Sequence, residues 1–304
     1  VTPADTRAEE FEALRPRLFG IAYRMTGSVG DAEDACQDAW LRWQRVDPAT
    51  VDNPEAYLVR VVTRLSLDRL HSAQRRREAY VGPYLPEPLV ADDDTGQPES
   101  AAELADSLTF AFLVLLDELT PRERAVLLLH DVFGYPFDEI APMLDLSPAA
   151  CRQLASRTRR KLDHERDGLR RPDEAREQEL IGQLMATIAS GDVDAVMRLL
   201  APDVVLLSDG GPSRHAARRP IVGPDRVARL VVSLARRLSA RATAHLVHVN
   251  GEPGVLFTAD GEPDLTLSFV FTPDGRVRRL FSQLNPDKLR HVHWTPNVQS
   301  DPQR

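Results

Sequence analysis

Cysteine is nearly absent from the chain. Cys36 and Cys151 are the whole complement in 304 residues, and they lie far apart, each inside a helical pattern. That excludes a disulfide framework and a cysteine-based metal site, and it fits a reducing compartment. Long apolar runs are missing too: none reaches the roughly 18 residues a membrane span needs. The first residues, Val1 to Glu12, are polar and acidic, without the apolar stretch of a secretory signal. These absences lead us to expect a cytoplasmic chain with no membrane attachment. An excess of positive charge is lacking as well. Lys and Arg total 38 against 46 Asp and Glu, a net charge of −8. A protein that coats nucleic acid indiscriminately is thereby excluded, because such binding rests on neutralising phosphates.

The shortage of cations is local rather than uniform. No Lys or Arg lies between Arg77 and Arg122, where Glu87, Asp92, Asp93, Asp94, Glu99, Glu103 and Asp106 accumulate. Arg75-Arg76-Arg77 and the run from Arg157 to Lys161 concentrate the opposite sign on either side. The organisation follows from this. Residues 8–80 read as all-helical; 81–103, with Pro83, Pro86, Pro88, Gly96 and Pro98 among acids, read as a linker. Residues 104–170 are helical again, and 176–291 combine helical patterns with β-rich segments, an α+β composition. Beyond Val292 there is no periodicity and the tail is expected to fray.

In the first block, Ala32, Ala35, Cys36, Ala39, Trp40 and Trp43 recur at helical spacing, with Asp31, Asp34 and Asp38 away from that stripe. Asn53-Pro54-Glu55 then opens a helix: Asn caps it, Pro suits the first turn and Glu the positive dipole end. Leu58, Val61, Val62 and Leu65 face a core there, while Tyr57, Arg60, Arg64, Asp68, His71 and Arg75 share a neighbouring side. An aromatic at the head of an arginine stripe suits single-stranded nucleic acid, the ring stacking a base and the cations following the backbone. A merely solvated charged face is the alternative.

In the second block, Thr120 caps a helix that Gly134 and Pro136 end. A short helix over Phe137 to Leu144, a turn at Asp145-Leu146-Ser147 and a longer helix from Pro148 have the spacing of a helix-turn-helix. Cys151, Leu154, Ala155, Thr158 and Leu162 point one way; Ala149, Arg152, Gln153, Ser156 and Arg160 point the other. Arg donates twice to guanine and Gln pairs with adenine in a major groove, with Arg157, Arg159 and Lys161 placed for phosphates. A helical hairpin inside a bundle is the alternative.

Three strings in this order resemble the extracytoplasmic-function sigma factors of bacteria. LFGIAYRMTGSVGDAEDACQDAWLRW is similar to the opening of their region two. NPEAYLVRVVTRLSLDRLHSAQRRRE resembles the segment that melts and reads the −10 element. LTPRERAVLLLHDVFGYPFDEIAPMLDLSPAACRQLASRTRRKL resembles region four, which reads the −35 element. The resemblance implies promoter DNA and the polymerase core, through its β′ clamp and β flap, as partners. Asp31, Asp34 and Asp38 would meet the β′ clamp helices. Asn53, Tyr57, Arg60, Arg64, His71 and Arg75 would hold the melted −10 strand, with a flipped base near the loop 45–53. Arg152, Gln153, Ser156, Arg157, Arg160 and Lys161 would serve the −35 groove. No catalytic residue, cofactor or metal is implied, because the polymerase does the chemistry.

A finer resemblance concerns the extension. GPYLPEPLV in the linker, Asp209-Gly210-Gly211, and Asn285-Pro286-Asp287-Lys288-Leu289 together resemble a SigJ-type subgroup with a SnoaL-like, NTF2-like carboxy-terminal domain. That subgroup usually has Trp where Tyr84 stands here, and its glycine motif usually runs on where Pro212-Ser213-Arg214 intervene. The implied fold is a cone of helices packed inside a curved antiparallel sheet, and a small ligand in the cone is left open. The implied role is regulation of the sigma modules by intramolecular contact, acting through Tyr84, Leu85, Pro86, Glu87 and Pro88. Asp203, His245 and His248 are the nameable groups for acid–base chemistry, and the odd spacing of the two histidines puts them on opposite strand faces. Two other readings stay open at this point: a ligand-sensing helix-turn-helix regulator, and an NTF2-like enzyme fused to DNA-binding helices.

Overall fold

The computed structural model describes residues 3–47, 50–77, 80–91, 109–166, 173–238 and 242–294. The chain divides into two compact units, Val1–Tyr80 with Thr95–Arg170, and Val81–Asp94 with Arg171–Arg304.

In the first unit, α1 (Pro3–Thr26), α2 (Val29–Trp43) and α3 (Pro54–Arg77) pack on one another. Gly27 ends α1 at φ 70, a conformation that Cβ-bearing residues resist. Ser28 then caps α2, its hydroxyl accepting from the Asp31 N–H at 3.2 Å. The stripe expected of α2 is buried at Ala32, Ala35, Cys36, Ala39 and Trp43, and its alanines leave room for α1 and α3 to approach closely. Leu18, Ile21 and Met25 of α1 and Leu58, Val62 and Leu65 of α3 complete that core.

The rest of this unit is α4 (Phe110–Leu116), α5 (Pro121–Leu127), α6 (Phe137–Leu144) and α7 (Pro148–Arg166). Thr120 and Glu123 form a reciprocal capping box at the head of α5, which runs on into a π-helical turn over Leu128–Val132. Asp145 closes α6 in the left-handed region at φ 54, and Ser147 caps α7 by accepting from the Ala150 N–H at 3.1 Å. The helix-turn-helix therefore lies where the spacing put it. Arg124 joins this half to the first three helices. It is buried, and it donates to the Leu116 carbonyl at 2.9 Å, to the Met25 carbonyl of α1 at 2.7 Å, and to Asp117. A buried guanidinium with all these acceptors met is a tether, since losing any one would strand charge away from water.

The second unit holds a seven-stranded sheet among the described residues, in the order β1-β4-β5-β6-β7-β2-β3. Its strands are β1 (Val90–Ala91), β2 (Leu200–Asp209), β3 (Ile221–Val222), β4 (Ala242–Val249), β5 (Glu252–Ala259), β6 (Glu262–Phe271) and β7 (Val277–Gln283). The expectation of an antiparallel sheet needs correction. β2 runs parallel to β7, with Ser208 opposite Ser282 and Asp209 opposite Gln283, so the sheet is mixed. The cause is topological: β2 leaves through a loop, β3 and a helix, and the meander β4 to β7 comes back to it along its own direction. Register shifts within β5·β6, β6·β7 and β2·β7 mark bulges that bend the sheet.

Against its concave face lie α8 (Glu174–Ser190), α9 (Val193–Leu199) and α10 (Pro224–Leu238). Leu180, Ile181, Leu184 and Ile188 of α8 meet Val227 and Val232 of α10 over Phe269, Phe271 and Leu280 of the sheet. Helices packed on one face of a bent sheet make this unit α+β, as its composition implies. Of the tail beyond Val292, where fraying is expected, the Trp294 ring tilts against His245 with centres 4.8 Å apart, and residues 295–304 lie outside the described residues.

Candidate functional site

Residues 81–91 carry the composition of a linker, yet they pack as extended chain on the second unit. β1 pairs with the edge strand β4, Val90 opposite Val249. Just before it, Leu89 and Asn250 exchange two bonds, at 2.7 and 3.2 Å. Prolines suit such a segment because the loss of an N–H at Pro83, Pro86 and Pro88 leaves their carbonyls able to accept.

The three subgroup motifs converge here. Asp209 ends β2 with its side chain wholly buried, and its Oδ2 accepts from the Leu85 N–H at 2.9 Å and from Lys288 Nζ at 2.8 Å. Lys288, on α11 (Pro286–Leu289), also donates to the Leu85 carbonyl and sits 3.1 Å from the centre of the Tyr84 ring. The other Asp209 oxygen accepts from the Gly211 N–H at 3.0 Å. Gly211 has φ 59, and a Cβ there would lie 2.6 Å from the Asn285 side chain, so this glycine meets both a backbone and a space requirement. Gly210 beside it is buried. Asn285 caps α11 by accepting from the Asp287 N–H at 3.0 Å, and Leu289 is buried beneath. Pro286 occupies the first turn, and Asp287 pairs outward with Arg290 at 2.5 Å.

Sequence reasoning missed three members of this cluster. Gln283 donates to the Pro86 carbonyl at 3.0 Å, His291 Nε2 lies 2.7 Å from the Pro88 carbonyl, and Asn250 holds Leu89. Glu87 lies 3.9 Å from His291. Gln283 had a weak local signal, a polar residue at the end of β7 two positions before the NPDKL string. Its partner could not be read from the sequence, because Gln283 and Pro86 stand 197 positions apart.

In the first unit, the residues expected to serve the −35 groove lie on the exposed side of their helix. Arg152, Gln153, Ser156, Arg157, Arg160 and Lys161 are all exposed on α7, while Cys151, Ala155, Thr158 and Leu162 are buried behind them. Two neighbouring cations are already engaged: Arg159 pairs with Asp131 at 2.8 Å, and Lys161 donates to the Glu118 carbonyl. Arg160 folds back onto the Ser156 carbonyl at 3.3 Å.

The residues expected to hold the −10 strand are less uniformly exposed. Arg60 and His71 are exposed, and Tyr57 is half-buried against Trp43 with ring centres 5.6 Å apart. Asn53 accepts from the Ala56 N–H at 3.0 Å, so its side chain is the helix cap the sequence suggested. Arg64 turns toward the helix-turn-helix, donating to Asp145 at 2.8 Å and to the Met143 carbonyl at 3.3 Å. The Arg75 side chain lies outside the described residues. Tyr135 and Arg17 add to the same junction. The Tyr135 hydroxyl donates to Glu55 at 2.9 Å, its ionisation pushed upward by burial, and Arg17 lies over its ring. Among the acids expected to meet polymerase, Asp34 is exposed, Asp31 is half-buried, and Asp38 pairs with Arg69 at 2.9 Å.

None of the acid–base candidates forms a catalytic grouping. Asp203 pairs with Arg278 at 3.0 Å, His245 contacts Thr258 at 3.0 Å, and His248 meets Glu174 at 2.8 Å, each apart from the others.

Comparison with known proteins agrees with these features. The Sigma-70 region 2 family model matches residues 11–76, and the Sigma-70, region 4 model matches 109–162. The ECF RNA polymerase sigma factor SigJ of Mycobacterium tuberculosis is 41% identical over 289 residues, covering 92% of this chain and 92% of that protein. The probable ECF RNA polymerase sigma factor SigI of the same organism is 32% identical, covering 83% and 84%. A crystal structure of M. tuberculosis SigJ superposes with a TM-score of 0.75 at 39% identity, covering 93% of this chain and 98% of the other. The region-two match accounts for the first block, which the regulator and enzyme readings leave unexplained. The chain belongs to the extracytoplasmic-function sigma factors, non-enzymatic proteins that bind core RNA polymerase and promoter DNA to direct the initiation of transcription.

Proposed function

We propose that residues 8–80 and 104–170 act as the −10 and −35 reading modules, joined by 81–103, and that 176–291 adjusts their output. On this reading Arg152, Gln153, Ser156 and Arg160 address −35 base edges while Arg157 and Lys161 hold phosphates. Asn53, Tyr57, Arg60, Arg64, His71 and Arg75 follow the melted −10 strand. Asp31, Asp34 and Asp38 meet the β′ clamp, and the second module meets the β flap.

The observation that carries the regulatory part is the grip on residues 84–89 by Asp209, Gln283, Lys288 and Asn250. That segment lies in the only covalent connection between the two modules. Holding it shortens the chain available to space them, and the tether keeps the domain at high effective concentration beside them. The second unit thus acts by intramolecular contact. Leu85→Asp tests this, since it places a charge where a wholly buried side chain sits and spares the second unit's own core. The variant should bind core polymerase as the parent does while its yield of promoter-directed transcripts shifts. Identical transcript yields across promoters would overturn the regulatory reading.

A further inference from the structure

The concave side of the second unit holds a cavity of about 510 Å³, within the range of sites that take small organic molecules. α8 and α10 form one wall and β2, β4, β5, β6 and β7 the other. The lining is almost wholly hydrocarbon, with Leu184, Val231, Phe257 and Leu267 representative. Among the described residues no Asp, Glu or His lines it, and three polar side chains do: Ser208, Ser282 and Arg236. Ser208 and Ser282 are direct partners across β2 and β7, so their hydroxyls form one polar spot. The Arg236 guanidinium lies over the Gly191 turn, its Nη2 3.2 Å from where a Cβ on that glycine would stand, which leaves its stem for the lining. At the rim, Leu234 stays 39% exposed beside the exposed Ala244.

We infer that this cavity is a binding site for a neutral, mostly hydrocarbon molecule bearing a hydroxyl or carbonyl that the Ser208–Ser282 pair receives. A dianion or polyol finds no partners along such walls, and burying unpaired polar groups there costs free energy. The site is also placed to be felt by the linker grip. Successive residues of a strand face opposite sides, so Asp209 and Gln283, the residues next to the two serines, hold Leu85 and Pro86 on the other face. Any influence on transcription rests on the regulatory reading above; the binding itself does not.

The test uses the full chain and N-phenyl-1-naphthylamine, a neutral fluorophore. It should bind saturably at one site, and 1-dodecanol should displace it about tenfold more effectively than dodecanoate does. Ala244→Trp, which fills the rim, should weaken the probe by about tenfold or more at an unchanged melting temperature. Leu267→Phe, which adds volume inside, is the second variant should the first fail to fold. Unsaturable binding, equal binding by parent and variants, or displacement by dodecanoate as good as by the alcohol would each overturn the site. An unaltered transcript yield in Leu85→Asp with normal probe binding would instead remove the regulatory reading and leave the site standing.

Discussion

The pair formed by Asp209 and Lys288 has side chains 0% and 7% exposed, so neither charge keeps its water. Both are compensated, Asp209 by the Leu85 and Gly211 N–H groups and Lys288 by the Leu85 carbonyl and the Tyr84 ring. Deleting one partner therefore leaves a buried unpaired charge. Asp209→Ala should cost about 3–5 kcal/mol in urea unfolding of the full chain. Asp209→Ala combined with Lys288→Met should recover part of that loss, because no charge is then stranded. A second residue-scale expectation concerns the Cys36 thiol, which burial pushes up from 9.0 to about 11. A group whose folded value is raised contributes stability that is fully present below its unfolded value. Stability should thus fall as pH rises from 9.0 toward about 11, and Cys36→Ala should reduce that fall. Thermal melts across this window check it.

At the scale of elements, the helix-turn-helix shows which signals are local. Its helix ends follow from Pro136, Asp145 and Ser147, each acting on neighbours in sequence, so spacing alone places them. Arg152→Ala on the exposed face of α7 should weaken −35 binding by about 1–3 kcal/mol if it reads a base, seen as relaxed preference at one promoter position. Equal weakening on every sequence would assign it to a phosphate. The Arg64–Asp145 pair is a different matter, since it joins α3 to the turn between α6 and α7 and no periodicity announces it. Asp145 is largely exposed, so the pair is worth about 0–1 kcal/mol. Asp145→Asn tolerates the same left-handed backbone and removes the charge. It should leave the melting temperature nearly unchanged and make Arg64 more available to −10 DNA, measured as tighter binding of a single-stranded −10 oligonucleotide.

For the molecule as a whole, an acidic chain that recognises DNA must place cations on chosen faces, and the surfaces proposed here are the exposed sides of α3 and α7. The second unit exposes Arg226, Arg229, Arg236 and Arg237 on α10, outside the recognition surfaces proposed here, and its buried polar groups include those that grip residues 84–89. Removing residues 176–304 should therefore change promoter output without abolishing binding to core polymerase, as read by run-off transcription beside a polymerase pull-down. Identical output from the shortened and full chains would contradict the assignment of this unit to regulation.

What could be read directly from the sequence was whatever depends on neighbours within one or two turns. The alanine stripe of α2, the caps at Asn53, Thr120 and Ser147, and the outward face of α7 all belong to that class. The tertiary structure alone decided the rest. It made β2 parallel to β7, laid residues 81–91 of the proline-rich connector along the second unit, brought Tyr84, Asp209 and Lys288 together, and set Ser208 beside Ser282. These pairings join positions far apart along the chain, and they hold because a buried donor or acceptor must find its partner wherever the fold provides one.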